Sequence, residues 1–182
     1  MGFTSVTLIK EDGTGSNANA NTYASAADAD TYFSKRALSN VWFGDTDINR
    51  TMALQWATRL IDVGFEFYGR RALETQPLAW PRQDVPDRDG ALGGYLATNL
   101  VPAAIVAATC ELAMAVMKDD ATVQPEGDRI KEFQEPAPDS TRTVYFQAPL
   151  KQYISPLVET MLRPYGRCVL QRASGAVPLQ RS

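Results

Sequence analysis

Seven residues at positions 76–82, Gln-Pro-Leu-Ala-Trp-Pro-Arg, place two prolines within one short segment of the chain. Each proline disfavours helical backbone at the residue before it, so Gln76 and Trp80 are predicted to be extended. The segment separates a long amphipathic stretch from an almost wholly apolar one. We therefore predict a stiff strap between two helices, and we assign Gln76, Trp80, Pro81 and Arg82 to it as structural residues.

The strap carries one large apolar side chain and one cation, and the sequence leaves more than one role open for each. Trp80 is predicted to be an anchor packed on the helical core, with a subunit contact as the alternative. Arg82 is expected to hold an acidic helix end, to meet a neighbouring subunit or to lie free on the surface. Glu111 stands in an apolar stretch and needs a partner, because an unpaired buried charge is costly. Arg59 or Arg82 is the hypothesis for that partner.

Helical periodicity and helix-start signals mark four segments. Ser25 and Asp28 form a Ser-x-x-acid box, which predicts a helix over 26–37. Pro102 opens a helix that is apolar on nearly every side, which predicts a central place in the core. A further helix is predicted over 150–162, although Pro156 fits only if that helix starts late. Asp47 is expected to cap the remaining helix, whose core stripe is Ile48, Met52, Trp56, Leu60 and Val63, widened by Ala53, Ala57 and Ile61.

The predicted fold class is mainly α: a small helical bundle with a β-hairpin and extended N- and C-terminal arms. Residues 6–9 are β-prone, and two further β-prone segments flank a Pro-rich turn at 136–139. The predicted organisation is an N-terminal strand or arm over 1–24, a helical core with the strap over 25–120, a β-hairpin insertion over 121–149, a C-terminal helix over 150–162 and a C-terminal tail over 163–182.

Composition restricts the chemistry. The 182-residue chain has no histidine, which removes the commonest general base and metal ligand at neutral pH. Its acidic pairs stand at predicted helix ends or in loops, where carboxylates act as caps. We expect no catalytic, cofactor-binding or metal-binding residues and no enzymatic activity. The longest apolar run, 103–117, is shorter than the roughly 20 residues needed to cross a bilayer, so no membrane partner is expected.

The last twenty residues differ in charge from the rest. They contain four arginines and no acidic residue, whereas residues 1–162 carry 14 basic and 21 acidic groups. Opposite charge on the tail and the body favours self-assembly or docking to an acidic partner. We predict that Arg163, Arg167, Leu170 and Arg172 contact a neighbouring protein; a frayed end with ordinary arginines is the alternative.

Several of these segments, in this order, resemble one protein family: Glu11–Gly15, Thr22–Phe33, Ala53–Asp62, Gly69–Arg71, Gln76–Arg82 and Val101–Pro102. The chain is similar to the head-to-tail adaptors of tailed bacteriophages, which are often labelled DnaT-like single-stranded DNA-binding proteins. The resemblance implies a twelvefold ring beneath the portal protein, made in the host cytoplasm and placed in the neck of the virion. Such a ring extends the DNA channel, lets genomic DNA pass without sequence-specific binding, and docks the next neck or tail protein.

The family label also supports an alternative, a single-stranded DNA-binding replication factor. Binding of that kind needs a basic groove interleaved with stacking aromatic side chains. The candidate aromatics fall mostly on predicted core stripes, so the connector is favoured. They are Tyr32, Phe33, Trp42, Phe43, Trp56, Phe65 and Phe67.

Overall fold

The computed structural model describes residues 7–88, 93–119, 130–136, 141–147 and 154–169, with the backbone alone for 130–136 and 141–147. Its helices are α1 (Ala26–Phe33), α2 (Asn40–Phe43), α3 (Asp47–Gly64), α4 (Ala103–Lys118) and α5 (Pro156–Leu162). Its strands are β1 (Phe65–Phe67), β2 (Arg70–Arg71), β3 (Arg82–Gln83), β4 (Pro86–Asp87), β5 (Gly94–Tyr95), β6 (Ile130–Pro136), β7 (Thr141–Gln147) and β8 (Gly166–Cys168).

The predicted mainly α class is wrong, because the fold is a small mixed α/β domain. In the part of the chain that the structure describes, eight short strands accompany the five helices. The strands pair antiparallel as four two-stranded sheets: β1 with β8, β2 with β3, β4 with β5, and β6 with β7. Periodicity misses most of them, because strands of two or three residues are too short to show alternation.

Helix α4 lies at the centre of the core, as its apolar sequence predicts. It packs against all four other helices, most extensively against α3. An unbroken run of its residues, from Ala108 to Met114, is buried. Contact with helices on several sides explains why its sequence is apolar on nearly every face. Among the described residues, no helix is long and apolar enough to cross a membrane.

Local capping sets where the helices begin. Ser25 and Asp28 form the predicted capping box at the start of α1, which ends at Phe33 rather than near 37. Thr46, and not Asp47, caps α3 by accepting a hydrogen bond from the backbone of Asn49. Helix α5 starts at Pro156, where a missing N–H costs nothing. Residues 150–153 of the predicted fourth helix lie outside the described residues.

The core stripe predicted for α3 is correct in part: some of its residues are exposed and others are buried. Ile48, Met52 and Val63 are exposed and Trp56 is partly so, while Leu60 is buried. The buried face carries Ala53, Ala57 and Ile61 of the predicted stripe, together with Leu54 and Thr58, which were not predicted. Small side chains let two helices approach closely, so the alanine face of α3 meets the rest of the core and the face with the larger side chains is left uncovered.

The N-terminal segment forms an ordered loop where the sequence suggests a strand followed by a flexible turn. Residues 7–9 are not in a strand, and Lys10 makes an isolated parallel bridge with Thr22. The buried carboxylate of Glu11 accepts hydrogen bonds from the backbone N–H groups of Gly13 and Gly15, at 3.1 and 2.9 Å. Both glycines have positive φ, so the loop needs them.

Candidate functional site: the strap and the exposed surfaces

Gln76 fixes the strap from within. Its side chain is buried and its Nε2 donates to the carbonyl oxygens of Leu78 and Pro81, at 2.8 and 3.0 Å. Its Oε1 accepts from the backbone N–H of Leu73 at 2.9 Å. The amide therefore replaces the backbone pairing that the prolines remove, which accounts for a glutamine at this point of the chain.

Trp80 is the anchor that the sequence predicts. Its ring is fully buried and makes edge contacts with Phe67 and Tyr165, with ring centroids 5.7 and 5.8 Å apart. The prediction of a core anchor is confirmed, and no part of the ring reaches the surface of the single chain. Its indole N–H has no hydrogen-bond partner among the described residues.

A buried tyrosine and an aspartate hold the strap against α3. Tyr23 Oη donates to Asp62 Oδ1 at 2.5 Å and accepts from the backbone N–H of Trp80 at 3.1 Å. The other oxygen of Asp62 accepts from the backbone N–H of Ala79 at 3.0 Å. Burial raises the pKa of the Asp62 carboxyl above its usual value, and burial together with Asp62 raises the pKa of Tyr23 well above 10.0.

Arg82 binds the chain's own backbone. Its guanidinium donates to the carbonyl oxygens of Tyr68 (2.7 Å), Gly69 (2.8 Å), Ala79 (3.1 Å) and Phe67 (3.3 Å). Burial is the main reason that the pKa of this guanidinium is lowered from its usual value. Arg82 therefore neither holds an acidic helix end nor lies free on the surface, because the cation closes the turn between β1 and β2. A contact with a neighbouring subunit stays a prediction.

Glu111 has partners other than the two arginines proposed from the sequence. Its carboxylate lies 2.7 Å from Arg36 Nε and accepts a hydrogen bond from Tyr32 Oη at 2.9 Å. Burial and this carboxylate raise the pKa of Tyr32 to about 12. The partners come from α1 and the turn after it, so Glu111 ties these to α4.

The C-terminal tail begins inside the fold. Residues 166–168 form β8, and Arg167 pairs across the sheet with Glu66, with Nε 2.7 Å from the carboxylate. Arg163 is exposed at the end of α5. Leu170 and Arg172 lie outside the described residues. Of the four predicted contact residues, Arg167 already has an acidic partner in its own chain.

A protruding apolar pair frames the short helix α2. Leu38 is 83% exposed and Phe43 is 50% exposed, whereas Trp42 between them is buried. Leu38 has a φ of 59°, a left-handed backbone that is unfavourable for a bulky residue. We call these two side chains the Leu38/Phe43 knob. The sequence gives no signal for it, because α2 is too short to show periodicity.

A second apolar surface is the α3/α4 groove, a cavity of about 550 Å³. Its lining includes Met52 and Trp56 of α3 and Val116 and Met117 of α4, with polar side chains at its rim. Three exposed apolar side chains follow one another along the outer face of α3: Ile48, Met52 and Trp56.

Exposed aromatic and basic side chains follow β1 along the chain, and two of them are in contact. The guanidinium of Arg88 lies over the ring of Tyr68, 5.6 Å from its centroid. Arg70 and Arg71 of β2 are exposed, and Tyr95 of β5 is 69% exposed. We call these five residues the Tyr/Arg patch. None of its tyrosines was among the aromatics considered from the sequence for nucleic acid binding.

Carboxylates in the described ranges serve local structure. Asp28 caps α1, Asp62 holds the strap and Glu111 binds Arg36. Across the described residues, no three Cys, Asp or Glu side chains come together as metal ligands would.

Together, these features define a small mixed α/β domain with a strap fixed from inside and uncovered apolar and basic surfaces. A family model described as "Putative DnaT-like ssDNA binding protein" matches residues 6–182, so the chain belongs to that family. Neither a curated protein nor a solved structure matches the chain.

Proposed function

We propose that this chain is a structural head-to-tail adaptor of a tailed phage, acting through contacts with other proteins and without catalysis. In this role it forms a ring, twelvefold as in the family it resembles, beneath the portal protein in the neck of the virion. The ring extends the DNA channel and docks the next neck or tail component. One observation carries the proposal, the Leu38/Phe43 knob.

The knob is costly for an isolated chain. A left-handed backbone disfavours a residue with a β-carbon by about 1–2 kcal/mol, and Leu38 has that backbone while its side chain is exposed. Burying a leucine side chain in a partner contributes about 1.5–3 kcal/mol. A contact with another subunit therefore offsets a cost that the single chain leaves uncompensated.

Ring assembly also needs two unlike surfaces on each subunit. A closed ring uses head-to-tail contacts, in which one patch meets a different patch on the next copy. The knob and the oppositely charged tail are two such surfaces. Arg163 and the tail arginines beyond the described residues remain proposed contacts to the portal or a neighbour, whereas Arg167 is proposed to act mainly through Glu66 in its own chain.

The test is the assembly state of a knob variant. Leu38→Asn removes the apolar side chain, and asparagine tolerates the left-handed backbone. We expect native mass spectrometry with the portal protein to show a ring for the wild type and assembly weakened about tenfold or more for the variant, as loss of roughly 1.4 kcal/mol or more predicts. Val63→Asn, which changes a side chain 69% exposed on α3, is the matched control. Equal assembly by Leu38→Asn and the wild type would sink the proposal.

A second candidate function is single-stranded DNA binding, which the family description and the Tyr/Arg patch favour. Arginines beside exposed aromatic rings are the combination that such binding uses, since bases stack on the rings while cations meet the phosphates. Part of the positive charge of the Tyr/Arg patch is neutralised within the chain, because Arg70 Nε lies 3.0 Å from the carboxylate of Asp84.

An oligonucleotide titration separates the two candidates. For a DNA-binding protein, Tyr95→Ala should weaken binding of a single-stranded oligonucleotide by about 1–3 kcal/mol, and binding should fall steeply with salt. For the adaptor we expect weak binding that does not depend on Tyr95. Tight, salt-sensitive binding by a monomer would favour the second candidate.

A further inference from the structure

A further cavity, of about 750 Å³, lies between α1 and the first half of α4. Its lining combines apolar side chains with three cations: Lys10, Lys35 and Arg36. We call it the Lys35 cavity. Its volume is in the range that proteins use to bind ligands, and its lining residues include none of the strap, of the Leu38/Phe43 knob or of the Tyr/Arg patch. It is therefore a separate candidate site.

The lining contributed by α4 and the residues just before it is apolar. Val101, Val106 and Ala107 are only partly buried there. Leu100 is 44% exposed. Cys110 is buried, and burial raises the pKa of its thiol to about 12, so this thiol is uncharged at neutral pH. The α4 side can therefore bind aliphatic groups, because covering it removes apolar surface from water.

The charged lining of the cavity is mainly positive. It contains the three cations and one carboxylate, that of Asp28, for a net charge of +2, whereas the whole chain has a net charge of -3. Two of the cations are paired: Lys10 Nζ lies 2.8 Å from Asp28, and Arg36 Nε lies 2.7 Å from Glu111. Lys35 is exposed and makes no ion pair within the described residues. Its ammonium group is therefore available to an anionic ligand.

These two properties together define the chemistry of the ligand. An acidic peptide with aliphatic side chains complements both, because its carboxylates pair with the cations while its aliphatic groups cover the α4 side. A nucleic acid strand complements only the charge, since its bases need open aromatic rings on which to stack. Tyr32 is the aromatic residue of this lining, and its hydroxyl group is bound to Glu111.

We propose that the Lys35 cavity docks an acidic peptide segment of another protein, with aliphatic side chains against Val106 and Ala107 and a carboxylate at Lys35. This inference goes beyond ring assembly and does not depend on it, because neither residue of the Leu38/Phe43 knob lines the cavity. In the proposed adaptor, each subunit then has one surface for its neighbour and another for a different protein.

The first experiment measures binding of three fluorescein-labelled peptides to the full-length chain by fluorescence anisotropy. The probe is the amidated peptide Leu-Glu-Leu-Glu-Leu, which should bind saturably and more weakly as salt is added. Leu-Lys-Leu-Lys-Leu reverses its charge, and Ser-Glu-Ser-Glu-Ser removes its aliphatic groups. Each of these should bind at least about tenfold more weakly, because each lacks one of the two complementary properties. Equal binding of all three peptides, or no binding of the probe at millimolar protein, overturns the proposal.

The second experiment locates the binding site with variants of the chain. Lys35→Glu should weaken binding of the acidic peptide about tenfold, because a repulsion replaces an attraction. Lys118→Glu makes the same change at the exposed last residue of α4, away from the cavity lining, and should weaken binding less than about twofold because salt screens distant charges. Ala107→Leu fills the apolar side and should weaken binding about tenfold, with a circular dichroism spectrum like that of the wild type.

Two results of this experiment contradict the proposal. If Lys35→Glu and Lys118→Glu weaken binding equally, the peptide responds to the overall charge of the chain and not to the cavity. If a single-stranded deoxythymidine oligonucleotide displaces the peptide and its own binding also depends on Lys35, the cavity binds phosphate groups and not an acidic peptide segment.

Discussion

Replacing Arg82 by methionine tests whether the strap is held by its own arginine. The variant keeps most of the aliphatic length and removes four hydrogen bonds to carbonyl oxygens. The bonds to Tyr68 and Gly69 are exposed and exchange with water, whereas those to Ala79 and Phe67 are partly buried. Hydrogen bonds to charged groups contribute about 1.5–3 kcal/mol each. Counting the two partly buried bonds, we expect a loss of about 3 kcal/mol in the free energy of unfolding.

Urea unfolding of the monomer at 25 °C measures this loss, and thermal unfolding should show a Tm lower by about 6–12 °C for a chain of this length. Arg82→Lys keeps the charge but not the planar fork, so it should recover only part of the loss. The control is Arg70→Met on the paired strand, where an exposed ion pair with Asp84 is worth less than about 1 kcal/mol. A midpoint for Arg82→Met equal to that of Arg70→Met would refute the internal role of Arg82.

Three further variants test buried polar groups. Tyr23→Phe leaves Asp62 and the N–H of Trp80 without their partner, so urea unfolding should show a loss of about 2–4 kcal/mol. Because the pKa of Asp62 is raised in the folded state, this carboxyl adds stability below pH 3.8, and that stability is lost as the pH rises through the raised pKa. Asp62→Asn should therefore lose less stability than the wild type over this pH range. An equal or steeper loss in urea titrations contradicts this. Glu111→Ala should lower the free energy of unfolding by about 2–3 kcal/mol because it leaves Arg36 without its carboxylate partner. Arg59→Ala should change the urea midpoint little.

Local signals predicted the starts of helices well and their outward faces poorly. The capping box at Ser25 works from neighbouring residues alone, so it could be found without the fold. Which part of the wide α3 stripe is exposed could not be found in this way, because periodicity weights large apolar residues and ignores how closely two helices approach. Ala53 and Ala57 face the core, whereas Met52 and Trp56 remain outside.

The same limit applies to the strap. Its tryptophan anchor follows from side-chain size. The partners of Arg82 do not, since they are carbonyl groups of a turn more than ten residues earlier and every residue has a carbonyl. No charge pattern in a sequence can identify such a contact. The Glu111 partner was missed as well, because Arg36 lies far away along the chain and only the packing of α1 against α4 brings it near.

Strap and knob variants should separate folding from assembly. Arg82 and Gln76 use their polar atoms on their own chain, so a change there should reduce assembly only as far as it unfolds the subunit. Leu38→Asn should do the opposite, because removing a bulky residue from a backbone with a φ of 59° raises monomer stability by about 1 kcal/mol while it removes a contact. The urea midpoint should fall for Arg82→Met, and the fraction of protein in rings should fall for Leu38→Asn. If Leu38→Asn destabilises the monomer, or if Arg82→Met abolishes assembly while still fully folded, this division of roles is wrong.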